Sequence, residues 1–134
     1  MSRGLTNKNP LNIRKTSGLP FLGEITSTDA SFKQFESIEW GYRAGFVLLN
    51  NYIANGYNTI TKIINRWAPP VENNTSAYVS SVAVRSGLNK DIVLSQNDSR
   101  LIPIVAAMSF VENGVTAIAD DVKAGFDLMP LKKK

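Results

Sequence analysis

Hydrophobic positions fall into helical spacing only from Ser37 onward, and this divides the chain in two. Residues 1–35 are rich in Asn, Gly, Pro, Ser and Thr with little periodicity, which predicts loops and short extended pieces around Phe21-Leu22 and Phe32 to Phe35. Ser37 reads as the N-cap of a helix that turns Trp40, Ala44, Val47, Leu48 and Tyr52 inward and ends near Asn55-Gly56. Ile60, Ile63, Ile64 and Trp67 then repeat at the i, i+3, i+4, i+7 spacing of one buried face, with Trp67 as a core residue, until Ala68-Pro69-Pro70 stops the helix. Asn73 or Asn74 caps a third helix carrying Tyr78, Val79, Val82 and Ala83, closed by Ser86-Gly87. A fourth begins near Asp98 or Ser99 with Pro103 in its first turn, and a last amphipathic stretch from about Thr116 places Ile118, Val122 and Phe126 on one face. The pattern predicts a mainly α protein with an irregular N-terminal segment.

The fourth helix carries the most informative sequence: an apolar run over 101–111 that ends in Glu112-Asn113-Gly114. Burial disfavours the charged form of a carboxyl group, so a glutamic acid delivered from such a helix is suited to act as a general acid in glycoside cleavage. The same three residues also make an ordinary helix end, with Asn and Gly as its cap.

Composition narrows the chemistry. The chain has no histidine and no cysteine, which excludes Ser-His-Asp and Cys-His centres, thiolate zinc sites and redox dithiols; no metal or other cofactor is expected, and carboxylates are the natural actors. A length of 134 residues with a hydrophobic fraction of 43% fits one domain over 1–134. Of the formal charge of +4, three units come from Lys132, Lys133 and Lys134, so 130–134 reads as a flexible basic tail on a nearly neutral body. No aromatic and basic stripe points to nucleic acid. No window is long and apolar enough for a membrane span, and no apolar stretch resembles a secretory signal, so synthesis in the cytoplasm is expected.

Three polar clusters accompany the helices. The first runs from Arg3 to Arg14 and holds Asn7, Asn9 and Asn12 around Pro10, either as a turn satisfying its own backbone or as a loop whose amides meet sugar hydroxyl and N-acetyl groups. The second, from Arg66 to Tyr78, carries Glu72, Asn73 and Tyr78 on a rigid connection that is either a capped helix junction or the wall of a cleft. The third puts Glu39 in a first helical turn, where a carboxylate commonly answers the helix dipole.

Together the segments RGLTNKNPLNIR, FESIEWGYRA, RWAPPVENNTSAYV and FVENG resemble a family of phage and prophage proteins with the patterns RGxRNNNPGNIR, FxSPEWGxRA, RWAPPxENxTxxY and HENG. Such proteins are often called virion structural proteins. They also resemble the lysozyme-like superfamily, in which lytic transglycosylases and glucosaminidases carry the catalytic Glu at the end of an apolar helix, followed by a loop such as NLFGI. Here ENG comes last and NPLNI first, as in a circularly permuted chain. The resemblance implies that Glu112 is the general acid and that residues 9–13 face it. Thr6, Lys8, Leu11 and Phe110 depart from the family pattern.

The resulting expectation is a lysozyme-like helical domain that cleaves the glycan strands of peptidoglycan with Glu112, as a hydrolase or a lytic transglycosylase. Glu72 or Glu39 would serve if a second carboxylate is needed, and Asn7, Asn9, Asn12, Asn73 and Tyr78 would hold substrate. The alternative is a non-enzymatic virion structural or glycan-binding protein that keeps the fold. Either protein would be virion-associated or released to reach the cell wall, with other virion proteins as further partners and neither nucleic acid nor membrane as a target.

Overall fold

A computed structural model describes residues 2–16 and 20–129; the expected basic tail at 130–134 lies outside the described residues. The order is α1 (Arg3–Thr6), β1 (Glu24–Ile25), β2 (Gln34–Phe35), α2 (Ile38–Ala54), α3 (Ile60–Trp67), α4 (Thr75–Ser86), α5 (Leu101–Asn113) and α6 (Ala119–Asp127). The chain is thus mainly helical. Its two strands form a single antiparallel pair, Glu24 opposite Phe35 and Ile25 opposite Gln34, with an isolated bridge between Arg14 and Phe32. The first strand lies just beyond Phe21-Leu22, and the short helix α1 in the polar N-terminal segment was not expected.

Local chemistry explains the helix limits. The Thr59 and Asn74 side chains accept from the backbone N–H of Lys62 and Ala77 at the starts of α3 and α4, while Gly87 and Gly114 close α4 and α5 in the left-handed conformation. Pro103 occupies the first turn of α5, where its missing N–H costs nothing. Ser37 precedes α2 but makes no side-chain capping bond.

The five apolar positions 101, 104, 105, 107 and 108 bury α5 in the middle of the molecule, with α4, α6, α2 and α1 around it. α2 packs chiefly against α6, through an edge-to-face pair of Phe46 and Phe126 with centroids 5.2 Å apart. Its buried face differs from expectation. Gly41, Tyr42, Ala44, Gly45, Phe46 and Leu49 are fully covered, whereas Trp40, Val47, Leu48 and Tyr52 are only half-buried. The reason is the N-terminal segment: the Lys8 carbonyl and Pro10 sit over Gly41, and the Leu11 side chain over Gly45, in space that a Cβ at either glycine would occupy. Glycines receive the segment, and a hydropathy pattern does not register them. At the other end, Ile118 is 65% exposed and precedes α6 instead of packing from it; Val122 alone of the three expected residues is fully buried.

Candidate functional site

The N-terminal segment is drawn onto the end of α5 by a set of amide bonds. Asn113 donates from Nδ2 to the carbonyls of Pro10 (2.7 Å) and Ser109 (2.9 Å), and its Oδ1 accepts from Ser2 Oγ at 2.7 Å. Asn9 is completely buried; its Oδ1 accepts from the Ile13 N–H and its Nδ2 donates to the carbonyls of Ile13 and Lys33, each at 2.9 Å. Asn7, 4% exposed, donates to the Asp29 carboxylate at 3.1 Å. These two side chains therefore build the loop from within and do not face solvent, a correction to their expected substrate contact. The Asn9 amide, whose donors and acceptor are all engaged by buried backbone, has nothing left to offer a ligand, and Asn7 is covered by its packing.

Asn12 is different. Its backbone is in the left-handed region at φ 53, which asparagine tolerates better than most residues, and this directs its side chain back toward α5. Nδ2 of Asn12 donates to Oε1 of Glu112 at 3.0 Å, and the Tyr78 hydroxyl from α4 donates to Oε2 at 2.9 Å. Asn12, one of residues 9–13 that the resemblance sets facing Glu112, makes this contact. Tyr78 is only 8% exposed and is not on the cleft's walls, so it meets Glu112 from behind by its hydroxyl, a correction to its expected contact with substrate. Burial, and secondarily the neighbouring Glu112 carboxylate, push the Tyr78 hydroxyl well above the usual phenol range, so it remains a donor at any working pH.

Glu112 opens onto a cleft of about 350 Å³ whose walls include Asn12, Arg14, Phe32, Trp67, Glu72 and Asn73. Glu72 and Asn73 come from the Pro69-Pro70 connection, which is held by the Glu72 N–H and Asn73 Nδ2, both donating to the Pro69 carbonyl at 3.1 Å. Two carboxylates thus line one polar cleft, Glu112 half-buried and Glu72 exposed. Glu39 is not among them. It lines a separate depression between α2 and α6, beside Trp40 and Asp127, which removes it from the candidates for a partner of Glu112 in this cleft.

Trp67 also departs from expectation. It continues the α3 face, but it is only half-buried, stacks edge-on to Tyr52 with centroids 6.1 Å apart, and presents the rest of its indole to the cleft. Arg14 and Phe32 are cleft residues that periodicity did not single out; Arg14 ends the asparagine-rich motif, whereas Phe32 carries no local signal. Among the described residues no group of three or more carboxylates is placed to hold a metal ion, and no helix is long and apolar enough to cross a membrane.

No protein-family model matches the chain. It is 37% identical over 131 residues to Protein P5 of Pseudoalteromonas phage PM2, an alignment covering 94% of this chain and 81% of the phage protein.

Proposed function

This chain belongs to the family of Protein P5 of phage PM2, and on that premise of a phage-associated protein we propose that it has a lysozyme-like fold and cleaves the glycan strands of peptidoglycan. The observation that carries the proposal is Glu112, at the end of a buried helix, opening onto a polar cleft while Asn12 and Tyr78 each donate a hydrogen bond to one of its oxygens. Glu112 donates its proton to the glycosidic oxygen as the C–O bond breaks and positive charge grows on the sugar. The carboxylate left behind is the species that two fixed donors stabilise best, so Asn12 and Tyr78 are aimed at charge that develops during the reaction. In a transglycosylase the same carboxylate then takes the proton of the sugar's own 6-hydroxyl as that oxygen closes on the anomeric carbon. In a hydrolase Glu72, across the cleft, is the second carboxylate, and water is the acceptor.

Digestion of purified peptidoglycan, followed by mass spectrometry of the soluble muropeptides, tests this reading. Glu112→Gln keeps the shape and removes the transferable proton, so release should fall by at least ~10²-fold, the lower range of general acid catalysis. Anhydro ends identify the transglycosylase route and reducing ends the hydrolase. A second reading has one observation in its favour: a carboxylate whose two oxygens are both held by the protein can also serve as a clamp between α4, α5 and the N-terminal loop. A parent protein that releases nothing from several peptidoglycan types supports that alternative, a virion structural or glycan-binding protein.

A further inference from the structure

The cleft in front of Glu112 shares Asn12, Arg14 and Trp67 with a second depression of about 220 Å³. Among the described residues Arg14 is the one cation on the walls of either. Its position is fixed twice. The backbone bridges to Phe32, and the guanidinium lies over the Phe32 ring, 5.6 Å from its centroid. Arg3 reaches the same ring at 4.7 Å, but its charge is answered by two hydrogen bonds to the Asp29 carboxylate at 2.6 and 2.8 Å. Arg14 forms no ion pair among the described residues, although Glu72 and Glu112 line the same cleft. An exposed guanidinium held in place beside two depressions, with its donors unspent on protein carboxylates, is a receptor for a carboxylate from outside.

We infer that Arg14 anchors a carboxylate carried by the glycan in this cleft, so that the site selects an acidic, peptide-bearing sugar polymer over a neutral polymer of N-acetylglucosamine. The inference rests on the peptidoglycan reading and deepens it: the short peptides on alternate sugars supply the carboxylate, and the exposed Asn73 remains for the sugar hydroxyl and N-acetyl groups. Glu72 on the same walls would otherwise repel such a polymer, and Arg14 offsets it.

Co-sedimentation separates the possibilities, using the Glu112→Gln protein so that the polymer stays intact. The probes are insoluble peptidoglycan sacculi, the same sacculi with their carboxyl groups amidated, and chitin. Arg14→Gln on the Glu112→Gln background should bind native sacculi roughly tenfold or more weakly, the scale of one hydrogen bond to a charged group. Arg14→Lys should recover part of that loss, and amidated sacculi and chitin should bind the Arg14 protein as weakly as native sacculi bind Arg14→Gln. Equal binding of native and amidated sacculi, unchanged in Arg14→Gln, would overturn the anchor and leave the glycan reading standing. Binding to none of the three polymers, with no muropeptide release by the parent, would overturn both.

Discussion

Two carboxylates decide most of the residue-scale behaviour. Tyr78→Phe removes a single donor from Glu112 and leaves the buried ring in place, so the cost in stability should be about 1 kcal/mol by chemical denaturation. If the bond strengthens as Glu112 gives up its proton, the same variant lowers kcat on peptidoglycan and leaves KM nearly unchanged; an unaltered kcat would separate Tyr78 from the chemistry. Asp29 is the other. It accepts from Arg3, Asn7 and the N–H groups of Ser31 and Phe32, and these bonds, the Arg3 guanidinium foremost, hold its carboxyl far below the usual carboxylate range. A carboxyl group depressed in the folded state contributes stability above its unfolded pKa, near 4, and loses it as pH falls toward the folded value. Stability should therefore drop on acidification below about pH 4. Asp29→Asn should be less stable at pH 7 and show a shallower decline; parallel pH curves for the two proteins would remove Asp29 from the cause.

At the scale of elements, the helices with regular apolar spacing were legible and the packing between them was not. α3 announces itself through Ile60, Ile63 and Ile64, all fully buried, and the Asn74 and Gly87 caps delimit α4 as written in the sequence. The inward side of α2 was misjudged because its closest neighbours meet it at glycines. Gly125 in α6 repeats the device: a Cβ there would lie 2.5 Å from Tyr42 Cβ and 2.9 Å from the Arg43 nitrogen, atoms of an adjacent helix that cannot swing aside. Gly125→Ala should consequently destabilise the protein by about 1–3 kcal/mol through overpacking, even though alanine is the better helix former; a rise in urea midpoint would contradict this packing. Trp67 misleads in the opposite direction, since an indole at a core register ends half-buried. Trp67→Ala should cost about 2 kcal/mol in a urea melt, below the 3–5 of a fully enclosed aromatic. Fluorescence of Trp67 should also respond when a glycan fills the cleft. Within the candidate site, Glu112, Asn12, Glu72 and Asn73 line one cleft with Tyr78 holding Glu112 from behind, whereas Asn7 and Asn9 turn inward and Glu39 lies elsewhere. Residue type named those positions. Which amides are spent on the backbone depends on contacts as distant as Asn9 with Lys33, and no local pattern encodes them.

At the scale of the whole molecule, the amide clasp that joins the two ends of the sequence spans 100 residues between Asn12 and Glu112 and 111 between Ser2 and Asn113. Ribosomes add roughly 5–20 residues per second, so about 5–20 s pass between the synthesis of the asparagine and that of its carboxylate partner. During that interval the helices around α3 and α4 can form from neighbouring sequence, but the cleft lacks Glu112 and the helix that carries it. Until then Asn12 and Tyr78 have no carboxylate to hold. The clasp closes only with the final turn of α5, long after the segment it anchors has been made.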